Sequence, residues 1–326
     1  MKSMRFVLLV WIAFAVCGSS ADIPASAPGT LAVDTLKLEW RDAKRQRAVP
    51  AKIYFPQNAT GACPLIVFSH GLGGTRDGYE YLGKYWASHG YVSVHVQHHG
   101  SDDAVWRGAG RPMQAMRNAT TDPLNAVNRA IDVSFAIDEL TAMNKTNVVL
   151  RGKLDLDRVG VAGHSFGAWT TLAVAGQSVG LNGKNYADVR VKAAIPMSAP
   201  VPKIPATRNY SRITIPLLHM TGTADNSPIG ETDAKARRIP FDETTSTPQF
   251  LVTFTGGDHM LFSGPIRGRA VMARNAAMHQ TICVSTTEFW DAYLRRDASA
   301  KTWLTEGGFE KALGDQGVLE KKLEKH

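Results

Sequence analysis

The chain has 326 residues, of which 44% are hydrophobic and 20% charged, and its formal net charge is +8. This length and this balance are typical of one large folded domain with extensions, and they exclude a disordered or fibrous chain. The basic residues are spread along the sequence and form no cluster interleaved with aromatic residues, so we expect no nucleic-acid partner.

Residues 1–21 have the pattern of a cleaved secretory signal peptide. Lys2 and Arg5 precede an apolar run at residues 6–16. This run is too short to span a bilayer, and it is followed by small residues up to Ala21. Cleavage there lowers the net charge from +8 to +6. We therefore expect a secreted or periplasmic protein whose mature chain has no transmembrane segment; a buried N-terminal helix or an uncleaved anchor is the alternative.

Strands and helices alternate along the following sequence, which predicts an α/β fold with a mostly parallel sheet of about eight strands and helices on both faces. The strands are expected at residues 31–40, 48–55, 64–68, 91–97, 158–162, 192–197, 216–220 and 249–255. Helices are expected at residues 77–89, 124–135, 168–175 and 270–295, and a long loop at residues 98–122. We assign residues 22–297 to the main domain and residues 298–326 to a polar extension with a short helix.

Three further features of the sequence bear on chemistry or processing. Beyond residue 21 the chain has two cysteines, Cys63 and Cys283, and the sequence leaves open whether they form a disulfide or remain buried free thiols. The histidines at 95–99, with Asp102 and Asp103, match no compact metal-ligand motif, so we expect no metal and no cofactor. The sequons for glycosylation, which matter only in a host that glycosylates, begin at Asn58, Asn118, Asn144 and Asn209.

The segment Gly163-His164-Ser165-Phe166-Gly167 fits the pattern G-x-S-x-G. The bare pattern is a weak signal, but here it follows the apolar strand at 158–162 and precedes a helix-forming run. This is the context of a nucleophile elbow, a strained turn that exposes the serine oxygen and needs small residues two positions away on each side. We therefore expect Ser165 to be a nucleophile; a tight turn with a capping serine is the alternative.

A serine nucleophile needs a histidine base, which is held by an acid. After an elbow of this kind the acid and then the histidine follow the serine along the chain. Asp225 follows the strand at 216–220, and His259 follows the strand at 249–255. Because the carboxyl ends of parallel strands meet at one edge of the sheet, we expect these side chains to meet Ser165 there. Asp258 is the rival acid.

The strand at 64–68 continues into a glycine-rich loop at residues 69–74, where the backbone can approach a substrate closely. We expect the N–H groups of Leu72 and Phe166 to form an oxyanion hole, which stabilises the negative oxygen of a tetrahedral intermediate. Core packing is the alternative reading of the aromatic residues near this loop. The candidate substrate-binding residues are Gly71, Trp106 and Trp169.

Residues 68–73, residues 87–91 and the motif around Ser165 resemble the platelet-activating factor acetylhydrolase group of α/β-hydrolases. Residues 222–225 and 257–259 also resemble the dienelactone-hydrolase-like and polyester-hydrolase branches of that superfamily. The resemblance implies an α/β-hydrolase fold and a metal-free acyl-enzyme mechanism. Dienelactone hydrolases carry a cysteine nucleophile where this chain has serine, which argues against lactone chemistry.

These features together predict a serine esterase acting on a small-molecule or lipid-like ester. A short acyl chain such as acetyl is favoured, because the sequence shows no insertion of the size of a large lipase lid. An aromatic or polymeric ester is the alternative, and a binding protein with an idle triad is the alternative from another class. The sequence does not determine the oligomeric state.

Overall fold

The computed structural model describes residues 29–180, 182–202, 209–264 and 273–323. The signal-peptide prediction for residues 1–21 lies outside these described residues. Within them, no helix is both long enough and apolar enough to cross a bilayer. The strands, numbered in chain order, are β1 (Val33–Asp42), β2 (Arg47–Pro56), β3 (Cys63–Ser69), β4 (Val92–Val96), β5 (Leu154–His164), β6 (Val191–Met197), β7 (Leu217–Ala224), β8 (Gln249–Asp258) and β9 (Gly317–Lys322).

The strands form one sheet in the order β1-β2-β4-β3-β5-β6-β7-β8-β9. The pairs from β4 through β3, β5, β6 and β7 to β8 are all parallel. The pairs β1–β2, β2–β4 and β8–β9 are antiparallel, so the antiparallel strands lie at the two edges. The predicted α/β fold with a mostly parallel sheet is confirmed. Each of the eight predicted strands is present, and β9 is an additional strand.

The helix predicted at residues 124–135 begins where expected. Asp122 accepts a hydrogen bond from the Leu124 N–H at 2.9 Å, and Pro123 occupies the first helical position. The helix continues past the predicted end because Ile137 and Leu140 extend its buried face. The α-helices of the described residues are α1 (Glu80–Ser88), α2 (Pro112–Thr121), α3 (Pro123–Thr146), α4 (Phe166–Ala175), α5 (Ile239–Glu243), α6 (Ala273–Trp290), α7 (Ala298–Thr305) and α8 (Gly308–Leu313).

The prediction of a long loop at residues 98–122 is wrong in part. The segment contains a 3₁₀ turn at Asp103–Val105 and helix α2. Helix α2 is short and buries only Ala119, and Gly108 and Gly110 just before it favour a loop, so its few apolar residues were not recognised as a helix. Pro112 stands at the first position of the helix, where proline is favourable.

The core lies in two layers, one on each face of the sheet. On β3, Leu65 and Val67 pack with the side chains of α3 and α4, while Ile66 and Phe68 pack with those of α1 and α6. These four side chains are at most 1% exposed. A strand that is buried on both faces appears in the sequence as a continuous apolar run, which is why β3 could be predicted.

The sequence left open whether the two cysteines form a disulfide or remain free, and in the structure both are free. Cys63 stands at the start of β3 and Cys283 in α6, and both are buried free thiols. Burial raises the pKa of Cys283 to about 12, and burial also raises the pKa of Cys63. Both side chains therefore act as small apolar groups of the core rather than as reactive thiols.

Residues 298–323 differ from the predicted polar extension with a single short helix, since they form α7, α8 and then β9. Leu304, Phe309 and Leu313 are at most 2% exposed and belong to the core layer of α1 and α6. β9 pairs antiparallel with β8 along its whole length. It is an edge strand with charged residues, so its sequence lacks the apolar pattern of the inner strands.

Phe309 tests how much this C-terminal segment contributes to stability. Its ring is 0% exposed and stacks on Trp303 with 5.0 Å between ring centroids. We expect Phe309→Ala to lower the free energy of unfolding by about 3–5 kcal/mol, because it removes a buried ring and leaves a cavity. Urea unfolding measures the change.

The control is Val318→Ala in the same segment, where the side chain is 61% exposed. This substitution should change the free energy of unfolding by less than about 0.5 kcal/mol. Equally small effects of both substitutions would show that the segment does not take part in cooperative unfolding.

Candidate active site

The G-x-S-x-G motif forms a sharp turn between β5 and α4. Ser165 has φ 56° and ψ −118°, a strained conformation for a residue with a side chain. A Cβ on Gly163 would lie 2.4 Å from the Gly167 oxygen, and a Cβ on Gly167 would lie 1.9 Å from the Ser69 oxygen. Both flanking positions therefore need glycine. The turn is fixed further by the Ser165 N–H, which donates to the Met197 oxygen at 2.9 Å.

Ser165, His259 and Asp225 lie together where β5, β8 and β7 end. The Oγ of Ser165 is 2.9 Å from Nε2 of His259, and Nδ1 of His259 is 2.7 Å from Oδ1 of Asp225. An ionised carboxylate only accepts hydrogen bonds, so Nδ1 carries the ring proton and donates it to Asp225. Nε2 is then free to accept the hydrogen bond of the Ser165 hydroxyl, which is the arrangement that activates a serine.

The carboxylate of Asp225 is fully buried and is held by several donors. Its Oδ2 accepts hydrogen bonds from Ser198 Oγ at 2.6 Å and from Thr221 Oγ1 at 2.8 Å, and Arg237 Nε lies 3.3 Å from Oδ1. Burial by itself raises the pKa of Asp225. The hydrogen bond from His259, the charge of Arg237 and the hydrogen bond from Ser198 outweigh burial and leave this pKa below its usual value. Asp225 is therefore ionised.

Asp258, the rival acid, points elsewhere. It is exposed, and its Oδ1 accepts a hydrogen bond from the Met260 N–H at 2.9 Å. Neighbouring residues at a strand end direct their side chains apart. The structure thus places Asp225, and not Asp258, against the imidazole of His259.

His164 connects the loops of the site from behind the serine. Its Nε2–H donates to the His259 backbone oxygen at 2.8 Å, so Nδ1 is unprotonated and accepts from the Tyr79 hydroxyl at 2.8 Å. The Tyr79 oxygen in turn accepts from the Gly71 N–H at 3.3 Å. Burial lowers the pKa of His164 to about 3, so its ring is neutral. This hydrogen-bond chain fixes the loop that carries His259 relative to the glycine-rich loop.

The two backbone N–H groups predicted to form the oxyanion hole, those of Leu72 and Phe166, belong to residues that line one cavity beside Ser165. Neither N–H donates to another atom of the described residues. For Phe166 this follows from its place in the first turn of α4, where backbone N–H groups have no partner within the helix. Both groups are therefore available to an oxygen that enters the cavity.

A buried arginine contacts both segments that carry these two N–H groups. Arg129 in α3 is 0% exposed and donates to the His70 backbone oxygen, to Ser101 Oγ at 2.9 Å and to Thr170 Oγ1 at 2.9 Å. Its guanidinium carbon also lies 4.6 Å from the centroid of the Phe166 ring. Arg129 thus contacts the glycine-rich loop on one side and the first turn of α4 on the other.

A cavity of about 610 Å³ opens beside Ser165. Gly71 and Trp169, two of the predicted substrate-binding residues, line it. The structure corrects the expectation for Trp106, which is not part of the lining within the described residues. The indole N–H of Trp106 donates to the Gly73 oxygen at 2.8 Å, so this side chain braces the glycine-rich loop from outside. Further apolar side chains of the lining are Met116, Val201, Ile229 and Met260.

A second Ser–His–Asp array lies inside the protein. Ser69 Oγ is 3.1 Å from His98 Nε2, and His98 Nδ1 is 3.0 Å from Asp132 Oδ2. The three side chains are at most 2% exposed, and none of them lines the cavity. Arg47 Nε also donates to Asp132, at 2.9 Å. A ligand in the cavity can therefore contact the array at Ser165, whereas the array at Ser69 is buried in the core.

Sequence reasoning missed several residues that surround the site. Ser198 directly follows β6, and Thr221 directly follows the strand predicted at 216–220, so the strand-end argument that indicated Asp225 could also have indicated them. Tyr79, Arg129 and Arg237 lie in helices and turns without any motif. Only the three-dimensional packing brings these three side chains to the site.

The model of the PET hydrolase-like family matches residues 47–276 of this chain. Platelet-activating factor acetylhydrolase of Cavia porcellus is 27% identical over 162 residues, which are 42% of this chain and 36% of that protein. Cutinase 2 of Thermobifida cellulosilytica is 27% identical over 209 residues, which are 64% of each chain. Cutinase cut1 of Thermobifida fusca is also 27% identical, over 64% of this chain and 52% of that protein. The chain thus spans about a third to two thirds of the length of these relatives.

Buried histidines predict how stability changes with pH. Burial lowers the pKa of His95 and His219 to about 4, and that of His98 and His164 to about 3, from an ordinary value of 6.5. The unfolded chain takes up protons that the folded rings exclude. The stability linked to these rings is therefore complete above pH 6.5 and is lost as the pH falls towards 3.

We expect the free energy of unfolding to fall on acidification by up to ~1.4 kcal/mol per pH unit for each such histidine. Urea unfolding at a series of pH values measures the slope. His219→Asn should lower the slope by the contribution of one ring, because that ring no longer titrates in the unfolded chain. A slope that is flat or reversed in this acidic range contradicts the prediction.

Proposed function

The chain belongs to the PET hydrolase-like family, and on that premise we propose that it is an exported serine hydrolase of carboxylic esters. The observation that carries the proposal is the array of Ser165, His259 and Asp225 beside a cavity with two backbone N–H groups that have no hydrogen-bond partner among the described residues. The named relatives, platelet-activating factor acetylhydrolase and cutinases, support an ester substrate. Export is supported by the signal-peptide pattern of residues 1–21.

In the proposed mechanism, Nε2 of His259 takes the hydroxyl proton of Ser165 while Oγ forms a bond to the ester carbonyl carbon. The electron pair of the C=O bond moves to its oxygen, which accepts hydrogen bonds from the Leu72 and Phe166 N–H groups. When the C=O bond re-forms, the ester C–O bond breaks, and the alcohol leaves with the proton from Nε2. A water molecule then repeats these steps on the acyl-enzyme and releases the acid.

Asp225 has two roles in this mechanism. Its hydrogen bond to Nδ1 keeps the imidazole in the tautomer whose Nε2 faces Ser165. Its negative charge also stabilises the imidazolium that forms when Nε2 takes the serine proton. Ser198 and Thr221 bind the other carboxylate oxygen and so prevent the carboxylate from turning away.

The cavity suggests what kind of ester fits. Its described lining contains no aspartate, glutamate, lysine or arginine, and most of it is apolar. Such a cavity favours an uncharged substrate, because nothing in the described lining pairs with a charged headgroup. We propose a neutral ester, with a short acyl group as the first candidate.

An aromatic or polymeric ester is the second candidate, and the size of the cavity favours it. About 610 Å³ is much more than an acetyl group fills and lies within the range of ~300–1,000 Å³ that is usual for small-molecule sites. Trp169 and Phe166 on its wall offer ring faces for stacking. The match to the PET hydrolase-like family and to the cutinases supports the same reading.

Ser165→Ala tests the proposed nucleophile. We expect it to lower kcat on p-nitrophenyl acetate by at least about a thousandfold and to abolish labelling by a fluorophosphonate, since both need the serine oxygen. The matched control is Ser69→Ala, which changes the serine of the buried array and should keep both reactions. Full activity of Ser165→Ala would refute the assignment, and an inactive, unlabelled wild type would favour the idle binding protein.

A panel of esters tests the proposed substrate class. With p-nitrophenyl esters of increasing chain length, the short-acyl candidate predicts that kcat/KM falls steeply beyond butyrate, since the sequence shows no insertion of the size of a large lipase lid. An acetylated phospholipid and an aromatic polyester belong in the same panel. A maximum at long chains removes the short-acyl reading, and release of aromatic acid from the polyester favours the second candidate.

The panel needs a variant that reports on the cavity itself. Trp169→Phe alters the cavity wall and should change the order of preference among the esters. The control is Trp303→Phe, which alters a tryptophan stacked on Phe309 in the C-terminal segment and should leave that order unchanged. An identical order in both variants would show that Trp169 does not contact the substrate.

A further inference from the structure

Arg237 is a buried cation beside the proposed acid–base pair, and the mechanism above gives it no role. It lies in the 3₁₀ turn Ala236–Arg238 and is 2% exposed. Its Nε donates to the backbone oxygen of Asp225 at 3.2 Å and lies 3.3 Å from the Oδ1 of that residue. Its Nη1 donates to the backbone oxygen of Ser198 at 2.8 Å. Two backbone carbonyls therefore hold the guanidinium in place.

The remaining guanidinium nitrogen faces the imidazole. Nη2 of Arg237 lies 3.3 Å from Nδ1 of His259. Nδ1 already carries the proton that it donates to Asp225, so two N–H donors meet here and no hydrogen bond joins them. The contact is tolerable while the ring is neutral. It opposes a positive charge on the ring, because two like charges at this separation repel each other.

The charges next to His259 come from different elements. Asp225, on the loop after β7, is the anion in direct contact with the ring. His164, at the end of β5, has its ring centroid 4.8 Å from that of His259 and is neutral, because burial lowers its pKa to about 3. Tyr79 lies behind His164 and is neutral, because burial raises its pKa. Arg237 is thus the cation that faces the ring among these groups.

Two further carboxylates lie in the neighbourhood. Asp258 precedes His259 in the chain and is exposed, so water screens its charge. Asp233 acts on Arg237 itself. Burial lowers the pKa of Arg237, and the charges of Asp225 and Asp233 oppose this effect. The guanidinium therefore stays charged wherever an esterase is assayed.

We propose that Arg237 is a positioning residue that clamps Asp225 and whose positive charge offsets the charge of Asp225 at the imidazole of His259. The inference rests on the proposed function, in which His259 is the base. A carboxylate alone favours the imidazolium, which cannot accept the serine proton. The buried pair of Asp225 and Arg237 has no net charge, so it orients the ring without favouring its protonated form.

Three substitutions separate the charge of Arg237 from its contacts. Arg237→Met removes the charge and the hydrogen bonds, Arg237→Gln removes the charge but keeps an amide donor, and Arg237→Lys keeps the charge. The matched control is Arg238→Met, which removes the adjacent arginine. Arg238 is exposed and pairs with Asp242 and Glu320. It therefore reports the effect of losing one positive charge outside the site.

The readout is kcat/KM on p-nitrophenyl acetate as a function of pH, with active enzyme counted by fluorophosphonate titration. The acidic limb of this profile reports protonation of the base in the free enzyme. We expect its midpoint to move up by about one pH unit in Arg237→Met and Arg237→Gln. Arg237→Lys and Arg238→Met should keep the wild-type midpoint. Arg237→Lys should still lower kcat, because lysine cannot clamp both carbonyls.

If the midpoint does not move in folded Arg237→Met and Arg237→Gln, the proposal is wrong. If Arg237→Met does not fold, Arg237→Gln alone decides the test. An equal shift in Arg238→Met also overturns it, because net charge would then explain the effect. A second measurement needs no activity. The Nδ1 proton of His259 should give a strongly downfield proton NMR signal, assigned by its absence in His259→Ala.

This signal separates the inference from the proposed function. If no variant and not even the wild type hydrolyses an ester, the proposed function fails, but the pH titration of the signal still tests Arg237. Its midpoint should then move up in Arg237→Met and stay in place in Arg238→Met. If the midpoint of this titration does not move in Arg237→Met, the proposed role of Arg237 is wrong, whichever substrate the protein hydrolyses.

Discussion

The site depends on a close backbone approach between the first turn of α4 and the end of β3. The position of Gly167 lies so near the Ser69 oxygen that no side chain fits between them. This contact brings the strained turn at Ser165 against the glycine-rich loop that continues β3. A longer distance would separate Ser165 from Leu72. The two glycines of the motif are therefore a packing requirement, and the placement of the serine follows from it.

The parts of the structure that could be predicted are those with a local signature. The inner strands are buried on both faces and appear as apolar runs, and the ends of these strands indicated Ser165, Asp225 and His259. Helix α2 and β9 were not predicted, because α2 is short, buries only one residue and follows two glycines, and β9 is a charged edge strand. The contacts of Arg237 and Tyr79 could not be predicted either, since they depend on elements far apart in the chain.

The polar interior shows that geometry alone does not make a catalytic array. Ser69, His98 and Asp132 have nearly the same mutual distances as the residues around Ser165, yet they are enclosed. What distinguishes the array at Ser165 is the cavity beside it, whose wall carries two N–H groups without a partner in the part of the chain that the structure describes. The enclosed array contributes in another way, because His98 connects the segment after β4 to Asp132 in α3 and to Ser69 at the end of β3.

The edge strands of the sheet have a consequence for the protein at high concentration. An exposed strand edge is a template on which another chain can add a strand, and this is a common route to aggregation. On β1, charged side chains alternate along the exposed positions, and β9 ends in Glu320, Lys321 and Lys322. The lysines of β9 are also engaged with backbone oxygens of neighbouring elements. An added strand would have to place its own side chains among these charges, so both edges resist fibril-like growth.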